Sequence, residues 1–204
     1  MENQAPLLNK SDTLQMLSSF LSGLISIPSI SKEEAQSAEF IENYLKQHDI
    51  ESQRIKNNII VKNQFFDETK PSILLNSHHD TVKPNNGYSV PPFQATLLHD
   101  KLIGLGSNDA GAALTCLIHV FIHYYKKENL NYNLILVASA EEEISGKDGI
   151  ECVLPELQPI DFAIVGEPTS MQMAIAQKGL LVVDCVAKGK SGHAARNEGI
   201  NAID

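Results

Sequence analysis

The sequence predicts an α/β fold: a largely parallel sheet with helices on both faces. Three observations carry that prediction. Runs such as NLILVA (133–138) and DFAIV (161–165) are apolar throughout after their first residue yet too short for helices, which is how strands buried on both faces read. Segments with helical apolar spacing lie between such runs. Polar residues of chemical interest follow directly on each run, and open sheets of this kind place their ligands beyond the carboxyl ends of the strands.

The elements follow in order. Ser11 can cap a first helix with apolar residues at Leu14, Leu17, Leu21 and Leu24, broken at Pro28 and Ser29. Ser31 and Glu34 have capping-box spacing for a second helix, whose buried stripe is Ala38, Ile41, Tyr44 and Leu45. NIIVK (58–62) and SILLN (72–76) are β-rich runs bounded by polar residues and proline. Residues 81–93, with Pro84, Gly87, Pro91 and Pro92, form a loop. Asp109 opens a helix that is apolar nearly all round and so expected to be buried. Strand NLILVA, a short helix over 147–154 and strand DFAIV follow. Residues 171–176 and 180–187 read as a strand pair turning at Lys178-Gly179, and the chain reaches Asp204 at what reads as the start of a helix.

Composition narrows the function. Of 204 residues 43% are hydrophobic, enough for one core and part of a second domain. Sixteen basic residues stand against 25 acidic ones, a formal net charge of −9, which argues against a nucleic-acid or anionic-membrane partner. No apolar run approaches the roughly 18 residues of a membrane span. Three scattered cysteines without a C-x-x-C exclude a disulfide framework and a thiolate zinc site. With no secretory pattern at the N-terminus, they give the expectation of a cytoplasmic protein. Gly104/Gly106 lacks the third glycine of a dinucleotide fingerprint, and Gly189-Lys190-Ser191 lacks the upstream glycine of a phosphate loop. His99, His119 and His123 read as structural.

The chemistry collects at strand ends. Ser77-His78-His79-Asp80 follows SILLN, Glu141-Glu142-Glu143 follows NLILVA, and Glu167 follows DFAIV. Asp109 sits at a loop-to-helix junction. Each cluster alone has an ordinary reading: a capped strand end, a solvated charge run, an N-cap. Together they are carboxylates that would repel unless cations neutralise them. Imidazole nitrogen with carboxylate oxygen and no thiolate suits zinc, and also manganese or cobalt. Residues two apart on a strand point the same way, so Asp80 can accept the second ring N–H of His78. Glu142 and Glu143 point differently, and one can bind metal while the other acts as general base.

These residues carry a resemblance. SHHDTV (77–82), GLGSNDAGAA (104–113), ASAEEEISGKDG (138–149), VGEPTS (165–170), QKGLL (177–181) and GKSGHAARNEGINAI (189–203) occur in the order found in the aminoacylase, acetylornithine deacetylase and succinyl-diaminopimelate desuccinylase family of metallopeptidases. The resemblance implies a zinc-peptidase-like catalytic domain over 1–179 and the beginning of an inserted lid and dimerisation domain over 180–204. It implies two divalent metal ions. His78 and Glu167 bind the first, Glu143 binds the second, and Asp109 bridges them. Asp80 orients His78, and Glu142 is the general base. His193 reaches a neighbouring active site across a homodimer and polarises the scissile carbonyl. The implied reaction is hydrolysis of the N-acyl amide bond of a small amino acid, first among them N-acetylornithine in arginine synthesis. A dipeptidase or aminopeptidase activity, or an inactive metal-binding fragment, are the alternatives. This chain stops about where the inserted domain begins, so one metal site is expected to be complete and the second to have only Asp109 and Glu143.

Overall fold

A computed structural model describes residues 9–157, 159–176, 178–179, 181, 183, 185–193, 196 and 199–202. It divides into two units, Met1–Ser170 and Met171–Asp204, whereas the sequence places the boundary after Gly179.

The first unit is built on a five-stranded sheet in the order β1-β2-β6-β3-β7. Its strands are β1 (Gln53–Ile55), β2 (Asn58–Lys62), β3 (Ser72–His78), β6 (Asn133–Ser139) and β7 (Phe162–Val165). The β3/β6 and β3/β7 pairs are parallel. The β1/β2 hairpin adds two antiparallel pairings, so the α/β sheet is mixed. Three longer helices, α1 (Lys10–Ile25), α2 (Ala35–Gln47) and α3 (Ala112–Tyr125), supply one core cluster, and the short α4 (Ile150–Val153) contributes to another. Side-chain alternation divides each central strand between them. Ile59, Val61, Leu75, Leu134 and Leu136 join α1–α3, while Ile60, Leu74, Ile135 and Val137 pack with Val153 of α4.

Several expectations change. Asn9, not Ser11, caps α1, accepting the Asp12 N–H at 2.9 Å. The buried face of α1 is Phe20, Leu24 and Ile25, which leaves Leu14 exposed. The stripe of α2 is as the spacing predicts, with Ala38, Ile41 and Leu45 buried and Tyr44 packed against them. Its capping box does not form, because Ser31 and Glu34 turn toward other partners. Asp109 does not cap α3; it lies in an irregular turn over Ser107–Gly111 with φ −113° and ψ 98°. Helix α3 buries Leu114, Thr115, Ile118 and Phe121 and exposes Cys116 and Val120, so only one face is in the core.

The DFAIV strand forms as β7, but at the sheet edge, with Phe162, Ile164 and Val165 exposed rather than buried. A small hairpin, β4 (Thr96–Leu98) and β5 (Lys101–Ile103), has no counterpart among the elements the sequence predicts. Its turn uses His99 and Asp100, both at positive φ, in place of the usual Asn-Gly signal. In the second unit the described residues form one isolated bridge, Lys190 with Ile200, and no strand pair. Leu180, Val182 and Asp184 of the expected strand pair, and Asp204 of the expected terminal helix, lie outside the described residues.

Candidate metal centre

Register brings the site together. In the parallel pairs His78 lies opposite Ser139 and Asn76 opposite Val165. The residues just past β6 and β7 therefore emerge beside the end of β3, and these are Glu141–Glu143 and Glu167. Ser77 fixes the last of them: its hydroxyl donates to the Gly166 carbonyl at 2.7 Å, and the Gly166 N–H donates to the Asn76 carbonyl at 2.8 Å. Asp109 arrives from the turn before α3. That turn starts at Gly106, at φ 70°, where a Cβ would stand 2.6 Å from the Thr81 methyl. It is closed by the Gly111 N–H donating to the Gly106 carbonyl at 2.9 Å.

The ligand atoms of His78, Asp109 and Glu167 all lie within 4.8 Å of one another. From His78 Nε2, Asp109 Oδ1 is 3.1 Å away, and Glu167 Oε2 and Glu142 Oε2 are each 3.8 Å away. His78 is wholly buried, while Asp109 is more than half exposed. Such a donor set fits a divalent cation of the zinc, manganese or cobalt type. The electrostatics point the same way. Burial raises the Glu167 carboxyl above its ordinary value; His78 opposes the rise, and the charges of Glu142, Asp109 and Glu143 add to it. Glu143 is raised likewise, by burial and then by Asp109. Glu143 is not in the three-residue cluster.

Asp80 ties the two halves of the site. His78 Nδ1 donates to the Asp80 backbone carbonyl at 3.0 Å and lies 3.3 Å from its Oδ1. The same carboxylate accepts the backbone N–H groups of Glu142 and Glu143, at 3.0 and 3.2 Å, and the Ser31 hydroxyl at 2.7 Å. Burial pushes its pKa up, but these hydrogen bonds outweigh burial and hold it below the usual carboxylate range. Replacing Asp80 with Ala is expected to weaken metal binding by roughly 10- to 100-fold, read by competition with a chromogenic chelator.

His78 has a matching signature. Burial alone would lower its pKa. The hydrogen bond and charge of Asp80, then the charges of Glu167 and Glu142, overcome this and raise it to about 9. At neutral pH the metal-free imidazole therefore carries a proton that a metal must displace. Metal uptake at pH 7 is expected to release about one proton from this residue, read by calorimetry in buffers of different ionisation enthalpy. Because the folded-state value is raised, the stability that protonated His78 gives the metal-free chain is complete below its ordinary value of 6.5 and lost as pH rises through about 9. Metal affinity runs the other way, increasing with pH up to about 9.

Of the sequence candidates, His78, Asp80, Asp109, Glu142 and Glu167 meet in the first unit, with the Glu143 backbone bound to Asp80. His193 belongs to the second unit, where it is exposed and its carbonyl accepts the Arg196 N–H at 3.0 Å. Sequence reasoning missed Ser31, which it read as a helix cap and which instead reaches Asp80. A short hydroxyl near an x-Pro break carries no signal that separates the two uses.

Comparison with known proteins adds the following. Residues 74–185 match Peptidase family M20/M25/M40. A Staphylococcus epidermidis protein named a probable succinyl-diaminopimelate desuccinylase is 26% identical over 204 residues, which cover 97% of this chain and 49% of that one. An Aspergillus flavus protein named a probable carboxypeptidase is 29% identical over 217 residues, covering 95% of this chain and 52% of its own length. A dinuclear metal-binding peptidase from Bacillus subtilis shares the fold, with a TM-score of 0.58 at 17% identity over 76% of this chain and 43% of that one. The chain spans about half the length of the curated relatives it matches.

Proposed function

This chain belongs to peptidase family M20/M25/M40, and on that premise we propose that it takes part in metal-dependent hydrolysis of an N-acyl amide bond on a small amino acid. The observation that carries this reading is the convergence of one buried imidazole and two carboxylates within 4.8 Å, with Glu142 3.8 Å from the same imidazole.

His78, Asp109 and Glu167 would hold a first divalent ion, and Asp109 with Glu143 would contribute to a second. Bound there, such ions lower the pKa of water and polarise an amide carbonyl. Asp80 keeps the proton of His78 on Nδ1, so that Nε2 faces the site with its lone pair. Glu142 is the general base: its carboxylate takes a proton from the attacking water and delivers it to the leaving amine. His193, supplied by a partner in a homodimer, donates to the oxyanion.

N-acetylornithine is the first substrate to test, on the strength of the EEEISGKDG and GEPTSMQMAIAQKG stretches. The similarity to a probable carboxypeptidase favours dipeptides as the second class. The full-length metal-loaded protein would be assayed on N-acetylornithine, N-succinylornithine and a dipeptide. Turnover of the acylated ornithines alone supports the deacylase reading, and turnover of the dipeptide alone replaces it with a peptidase. No turnover of any of the three, with metal bound, would sink both.

A further inference from the structure

We propose that Glu34 is a positioning residue that holds the general base in place, acting through the backbone of Glu141; this rests on the assignment of Glu142 given above. Glu34 is fully buried; it stands at the N-cap of α2, but its side chain makes no capping hydrogen bond. Its Oε1 accepts the Lys32 N–H at 2.6 Å and the Glu141 N–H at 3.2 Å, and its Oε2 accepts the Asn57 side-chain amide at 2.8 Å. Among the described residues no lysine, arginine or histidine forms an ion pair with it. Cationic support comes indirectly, since Asn57 Oδ1 accepts from Arg54 at 2.8 Å.

Burying a carboxylate is costly, and capping α2 would not require it. What the burial achieves is local to the site. Glu141 has φ 53°, a left-handed conformation that a residue with a Cβ adopts only under constraint. There the chain leaves β6 and enters the turn that carries Glu142 and Glu143. Glu34 bonds the N–H of that residue, while Asp80 bonds the next two N–H groups from the side of the metal ligands. Two buried carboxylates thus grip three successive N–H groups. Losing one grip lets the turn relax, and a base displaced by about 1 Å loses on the order of 100-fold in rate.

The chemistry of the three partners dictates the test. All of them are donors, so an amide at position 34 must turn its NH2 against an N–H whichever way it lies. Asn57→Asp restores complementarity. The new amide oxygen keeps Lys32 and Glu141, its NH2 donates to the new carboxylate at position 57, and the other oxygen of that carboxylate still faces Arg54.

In the full-length metal-loaded protein, Glu34→Gln is expected to lower kcat about 10- to 100-fold. KM and metal occupancy at His78, Asp109 and Glu167 stay unchanged. Amide hydrogen exchange at residues 141–143 speeds up. The double variant Glu34→Gln/Asn57→Asp recovers kcat to within about threefold and recovers the slow exchange. Should Glu34→Gln fail to fold, the double variant decides alone: folding with turnover upholds the proposal, and folding without turnover overturns it. The proposal is also overturned if Glu34→Gln lowers only the melting temperature, or if the second change rescues nothing. An enzyme that proves indifferent to loss of Glu142 refutes the base assignment instead, and the exchange rates still report whether Glu34 pins the turn.

Discussion

Glu142→Gln is expected to lower kcat by about 10²- to 10⁴-fold while the protein keeps its metal. The amide is close to isosteric with the acid but cannot take a proton from water. Its backbone N–H still donates to Asp80, so the turn keeps its shape. Glu142 is not among the three residues whose ligand atoms converge, so metal content measured by mass spectrometry should equal that of the parent. Rates on N-acetylornithine, measured in the full-length metal-loaded protein, supply the other half of the test. Unchanged turnover would remove Glu142 from the mechanism, and loss of metal would make it a ligand.

His78→Ala has the second large effect. Nε2 is the point on which Asp109, Glu142 and Glu167 converge, at 3.1, 3.8 and 3.8 Å, and it is the one nitrogen in the cluster. Removing it takes away a candidate ligand and the positive charge that His78 holds up to about 9 in the metal-free state. The carboxylates then face one another without a counter-charge. Metal affinity is expected to fall by more than about 100-fold, beyond the range seen on loss of supporting residues, and turnover to fall with it. Equilibrium dialysis showing parent-like affinity would rule His78 out as a ligand.

Much of this site was legible in the sequence because the sheet makes it so. Apolar runs of fixed length mark the strands, and in a parallel sheet the residues that follow each run share an edge. That logic finds His78, Glu142 and Glu167 without coordinates. Asp109 is found by its place at a loop-to-helix junction and by the resemblance; its apparent N-cap position is a coincidence of spacing, since the turn over 107–111 precedes the helix. Less legible were the side chains that change employment. Ser31 and Glu34 have the spacing of a capping box, but a short-range pattern cannot reveal that Asp80 and Glu141, brought up by distant strands, compete for the same atoms. The edge position of β7 was hidden for a similar reason, because FAIV reads as buried wherever it is placed and topology alone decides what covers it.

The uneven exposure of the three candidate ligands bears on how an ion would come and go. His78 is anchored on a buried strand, whereas the Asp109 side chain is more than half open to solvent on a turn that begins at Gly106. Exchange should therefore proceed from the Asp109 side, with the imidazole the last partner to let go. Changes in the 106–111 turn would alter mainly how fast a chelator strips the ion, and changes in β3 mainly how firmly it is retained at equilibrium.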